Sequence, residues 1–270
     1  MHEIEFDGKA KKVAATWDEL SRRQLELLLP ILYGQYSDAN QLRIEVLEVL
    51  LGVSRPLLLR LTDVQLMSVF WLTDFLLAEP ITLTRQLLPE VKPAKLLPTY
   101  HGPAAELANV SFLEFAFADA YFVAYANSQQ VQWLNQLVAT LYRPGRRMAE
   151  GLAAGDRRQP FNEHLIEVQA GRLASLPRLT RLAILTHYRG CRHALEQRYP
   201  HVFTPANQEQ AKAHPDGWAY VLRELSGQAF GSYAETGRQL AHQVLAKMND
   251  DLARAEQLQR EQAAQQRNTH

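Results

Sequence analysis

The reactive side chains of this sequence crowd most closely at His187, Cys191 and His193, in the run HYRGCRH. On a helix, residues four apart share a face, so His187 and Cys191 have the spacing to hold a metal ion, or to pair a thiol with a base; His193 lies about 200° round from Cys191. Two ligands do not complete a metal site. No HExxH, CxxC or further His/Cys pair supplies the others, so the run reads as a buried structural cysteine between polar neighbours. Phosphate-loop and dinucleotide fingerprints are absent. Glu163-His164 and the scattered carboxylates read as solvated helix faces. No catalytic residue, cofactor or metal is expected.

A second concentration is cationic: Arg143, Arg146, Arg147, Arg157 and Arg158 lie within RPGRRMAEGLAAGDRRQP. Residues 143–201 hold 11 Lys+Arg, all of them Arg, against 5 Asp+Glu, or +6, whereas residues 1–142 hold 11 against 16, or −5. Guanidinium groups suit bidentate pairing with carboxylate or phosphate. Phosphate would make the segment a nucleic-acid arm, but a pI near 7.1 is low for a domain dedicated to nucleic acid. Pairing with acidic helices of the amino-terminal half, or of a protein partner, is the stronger reading, and the five arginines are the partner-binding candidates.

The elements that must position these groups are mostly helices. Ser21-x-x-Gln24, Thr62-x-x-Gln65 and Ser111-x-x-Glu114 each match a capping box ahead of an apolar run. Helices are predicted over 21–33, 39–51, 62–78, 111–126, 128–142, 162–175, 178–198, 215–226 and 234–262. Ile4 and Phe6, then Asp7-Gly8 and Lys9 to Val13, predict a hairpin. A strict two-residue turn would put Lys9 and Lys11 on the face of Phe6 and Ile4, which argues for a bulge or a weak pairing. Five prolines between 80 and 110 predict a long ordered connection there. The helix from 111, with aromatic and apolar groups nearly all round, is the expected core, Phe115 and Phe122 included.

The expected fold is therefore mainly α, a multi-helix globular bundle with a small N-terminal β-hairpin. The predicted organisation is a hairpin and helical subdomain over 1–142, an Arg/Gly-rich loop over 143–160, a helical subdomain over 161–262 and a disordered tail over 263–270, where nothing apolar remains to bury. At 270 residues, 47% apolar and 21% charged, the chain can bury a core unaided. One cysteine excludes an internal disulfide and fits a reducing compartment. The opening MHEIEFDG lacks the order of a secretory signal, and the longest apolar stretch, Phe112 to Ala126, contains Glu114 and Asp119. No membrane association is expected, and a cytoplasmic location is.

The hairpin leading into TWDELSRRQL, the central FLEFAFADAYFVAYANSQQ and the following LNQLVATLYRP together resemble accessory proteins encoded among the virion-assembly genes of tailed bacteriophages and prophages, of the tail-assembly-chaperone kind. The matched stretches cover about a quarter of the chain and carry no catalytic residue. The resemblance implies a helical, non-enzymatic protein that binds a virion or tail component during assembly by covering its apolar surface, in the cytoplasm of the host. A structural connector of the virion, or a nucleic-acid-binding accessory protein using Arg143 to Arg158, are the competing expectations.

Overall fold

Helix starts follow the hydroxyl residues. In the computed structural model, which describes residues 1–6, 8–146, 156–204, 217–227 and 231–268, Ser21 and Thr62 each accept a bond from the N3 amide while Gln24 and Gln65 reach back. Ser111 accepts from Glu114 N, but no reciprocal bond forms, because the Glu114 carboxylate is engaged elsewhere. The fold is mainly α with a small amino-terminal hairpin. By contacts the chain divides into two compact units, Met1–Pro89 with Leu176–His193, and Glu90–Ser175 with Ala194–His270. This differs from the partition at 143–160: the chain leaves the first unit at Pro89 and returns to it at Leu176.

In the first unit, β1 (His2–Phe6) pairs with β2 (Lys9–Val13) in strict register, Ile4 opposite Lys11 and Phe6 opposite Lys9, with neither a bulge nor a slip. Asp7 of the expected turn lies outside the described residues; Gly8 supplies a φ of 68°. Lys11 is accommodated because its Nζ stands over the Phe6 ring, 5.9 Å from the centroid, and donates to the Leu51 carbonyl at 2.7 Å. That carbonyl ends α2 (Ala39–Leu51), where a cation is favoured. With α1 (Arg22–Leu32), α2 forms the core around Trp17, Leu20, Leu25, Leu28, Val46 and Leu47. A short α3 (Arg55–Leu58) follows, which the sequence pattern does not show.

The single helix expected over 62–78 is instead α4 (Asp63–Met67), a 3-10 turn at Phe70–Thr73 and α5 (Asp74–Leu77). Thr73 Oγ1 donates back to Phe70 O, and Arg43 on α2 donates to the same carbonyl at 3.0 Å, to Thr73 Oγ1 at 2.7 Å and to Asp74 Oδ1 at 2.6 Å. Nη1 of one guanidinium thus meets the Phe70 carbonyl at the break together with the side chains of Thr73 and Asp74.

In the second unit, β3 (Glu90–Val91), β4 (Tyr100–His101) and β5 (Arg143–Pro144) form a small antiparallel sheet in that order. Helices α6 (Phe112–Ser128), α7 (Val131–Leu141) and α8 (Ile166–Leu173) pack in sequence around Phe112, Phe115, Leu137 and Val138. Helix α9 (Arg178–Arg198) carries the chain from the first unit into the second. Then come α10 (Trp218–Leu225), α11 (Tyr233–Arg238) and α12 (Ala241–Asn268). Residues 215–216 of the expected helix lie outside the described residues. Trp218 packs edge-on against Phe112, Phe115 and Phe203 and donates to Asp119 Oδ2 at 2.8 Å.

The helix expected over 234–262 is two helices, because Gln239-Leu240 runs extended beside the start of α6: Phe112 N donates to Gln239 O at 2.8 Å and Ala241 N to Val110 O at 2.9 Å. An amide that opens a helix thereby finds an acceptor. At the far end α12 continues to Asn268, past the tail expected from 263, and the last residues are outside the described set. Gln, Arg, Glu and Ala are strong helix formers, and Gln257 with Glu261 and Arg260 with Glu256 pair one turn apart.

Candidate functional site

The arginine-rich segment returns on itself. Arg146 N donates to Arg157 O at 2.8 Å, Gln159 N donates to Pro144 O at 2.9 Å, and Gly145 bridges Arg158. Residues 143–146 and 157–159 therefore lie antiparallel, extending the small sheet. Residues 147–155, Arg147 among them, are outside the described residues.

Two of the five candidate arginines point inward. Arg158 is fully buried and Arg143 7% exposed; between them lies the Glu114 carboxylate, 1% exposed. Arg143 Nη1 stands 2.8 Å from Glu114 Oε1, and Nη2 donates to Oε2 at 3.2 Å; Arg158 Nη1 donates to Oε1. Arg158 also grips Asp156 through Nε at 3.0 Å to Oδ1 and Nη2 at 3.0 Å to Oδ2. The remaining donors find main-chain carbonyls: Arg143 those of Thr140 and Gln159, Arg158 those of Leu141 and Asn109. Two cations and two carboxylates balance. Burial pushes the Asp156 carboxyl up, but the hydrogen bonds and charge of Arg158 outweigh it and hold the group below the usual range. For Arg158 burial works downward, and the charges of Glu114 and Asp156 outweigh it. Such a network fixes the base of the segment; it offers no open cation.

Of the other three candidates, Arg146 and Arg157 are among the described residues, and neither is buried. Arg157 is exposed and lies 3.7 Å from Glu90; Arg146 is half-buried, and its Nε donates to Arg158 O at 2.7 Å. A cleft of about 700 Å³ opens beside the network, with Leu113, Pro160, Phe161, Arg146, Tyr233 and Arg238 in its lining. Glu114 and Asp156, which close the network, escape a reading based on clustered arginines: Glu114 looks like a capping residue, and Asp156 like a turn residue.

In the first unit His187 and Cys191 do meet, with Sγ 3.3 Å from His187 Nε2, and both are buried. His187 Nε2 also lies 3.2 Å from Thr84 O, so it carries the proton and donates, leaving Nδ1 buried without a partner. Burial drives the imidazole down to about 4, against smaller upward pulls from the Thr84 carbonyl and Asp18. A neutral ring whose Nε2 is already a donor cannot accept the thiol proton. The carbonyl is held by Asp18, which accepts from Thr84 N at 2.7 Å and Arg85 N at 2.8 Å. His193 is half-buried on another side of the helix. Among the described residues no group of three or more His, Cys, Asp or Glu is placed to hold a metal ion, and no helix is long and apolar enough to cross a membrane. No family model matches the chain, and neither does any curated protein or solved structure.

Proposed function

We propose that this chain is a non-enzymatic, protein-binding accessory factor, of the kind encoded among phage virion-assembly genes. The observation that carries the reading is a set of exposed apolar side chains within one short stretch of the first unit. Val64, Met67 and Trp71, at spacings of three and four, are 78%, 67% and 48% exposed, and Leu59 just before them is 58% exposed. His2 packs edge-on against Trp71 at 4.7 Å, which steadies the indole without covering it. Four large apolar groups left exposed within thirteen residues favour a protein contact. The inward use of Arg143 and Arg158 weighs on the same side, since it removes two of the five cations that a nucleic-acid arm would need.

Co-expression with the products of the genes flanking its own tests the reading. A stable complex is expected with one of them, weakened at least about tenfold, or 1.4 kcal/mol, by Val64→Ser with Met67→Ser and Trp71→Ser. If no product binds, and the chain instead retains DNA at about 150 mM salt and loses it when Arg146 and Arg157 become Gln, the nucleic-acid reading replaces this one.

A further inference from the structure

The second unit holds a series of aromatic rings that its core does not enclose. Phe161 stands 5.8 Å from Phe117, Phe117 6.2 Å from Tyr121, and Tyr121 6.2 Å from Trp133, centroid to centroid. All four are half-buried. Phe117 and Tyr121 lie one turn apart on α6, Trp133 on the first turn of α7, and Phe161 in the segment ahead of α8, so two packed helices and that segment present one ladder. Two carboxylates accompany it. Glu163 shares the cleft with Phe161, and Glu167 is close enough to Tyr121 for its charge to act, after burial, in raising the phenol. Glu163 has His164 at 4.0 Å, and Glu167 makes no ion pair among the described residues.

We propose that this ladder is the docking face for an arginine- or lysine-bearing segment of the protein partner, which rests on the protein-binding reading above. Ring faces carry negative potential and attract guanidinium and ammonium groups, and a neighbouring carboxylate strengthens the attraction. The molecule already uses this chemistry at one end, where the Arg143 guanidinium stands 5.7 Å from the Phe161 centroid. Arg146 and Arg238 occupy the cleft at that same end. The incoming cations are therefore directed toward Tyr121 and Trp133. The carboxylates also decide against single-stranded nucleic acid, whose bases would suit the rings but whose phosphates would meet Glu163 and Glu167.

The test uses the full chain and a synthetic amphipathic helix of leucine and arginine, about 15 residues long, beside the same peptide with glutamate for arginine, and an oligothymidine strand. Binding is followed by tryptophan emission, with Trp133→Phe identifying the responding indole. The arginine peptide is expected to bind and to quench Trp133. Glu163→Gln with Glu167→Gln, or Trp133→Ala, should weaken it at least about tenfold, while Val64→Ser with Met67→Ser and Trp71→Ser leaves it unchanged. Equal binding of the glutamate peptide, unchanged binding by the Gln pair, or oligothymidine competing for the ladder overturns the proposal. So does a partner found by co-expression that the Gln pair holds as tightly as wild type, and this outcome leaves the protein-binding reading intact. Failure of that reading shows separately, in the co-expression itself.

Discussion

At the scale of single residues, Glu114 is the side chain on which most depends. Its carboxylate meets two buried guanidinium groups, so Glu114→Gln leaves positive charge without compensation in a place from which water is excluded. A loss of about 3 to 5 kcal/mol is expected by denaturant titration, whereas Glu26→Gln, in an exposed pair with Arg22, should change little. His187 gives a pH dependence. Its folded value near 4 lies below the ordinary 6.5, so as pH falls below 6.5 the unfolded chain takes up a proton that the folded chain refuses. Stability is then full above pH 6.5 and declines toward pH 4 by about 3 kcal/mol. His187→Gln should flatten that part of the profile, and an unchanged slope would show that the imidazole titrates normally. Gly190 reverses a familiar rule. Alanine inside a helix usually gains about 1 kcal/mol over glycine, but a Cβ here would stand 2.2 Å from Leu83 O, and main chain cannot swing aside. Gly190→Ala should lower the thermal midpoint, with a cost of about 1 to 3 kcal/mol.

At the scale of elements, the sequence is readable where a local signal decides the outcome. The hydroxyl caps at Ser21, Thr62 and Ser111 start helices within a residue of the predicted places, and the first half of the aromatic run, with Phe112 and Phe115, is buried in its unit, whereas from Ala120 on the run is half-buried or exposed. Where a distant group decides, the pattern is silent. The helix from Thr62 breaks where Arg43, on another helix, satisfies the Phe70 carbonyl, and strands of two residues, such as Tyr100–His101, leave no periodicity to detect. The candidate site shows the same divide. Five arginines are conspicuous in the sequence, but which of them turn inward depends on Glu114, far away along the chain, whose spacing from Ser111 disguises it as a cap. The two core phenylalanines separate in the same way. Phe115 is fully buried against Trp218, so Phe115→Ala should cost about 3 to 5 kcal/mol. Phe122 is half-buried, and Phe122→Ala should cost less than half as much by the same denaturant measurement.

At the scale of the whole molecule, the uneven charge along the sequence is partly settled within the second unit. Arginines of the basic middle reach acids of the first 142 residues: Arg143 and Arg158 meet Glu114, Arg157 meets Glu90, and Arg198 meets Glu106. The antiparallel pairing of residues 143–146 with 157–159 has a consequence for protein engineering. The bonds of this pairing and of the Glu114 network are made by residues on either side of 147–155, so a chain in which a glycine-serine linker joins Arg146 to Asp156 is expected to keep them, with the thermal midpoint as the measure. Doubling the length of such a linker should cost only about 0.6 kcal/mol, the added entropy of closing a longer loop, which makes the position a port for a fluorescent protein or an affinity tag.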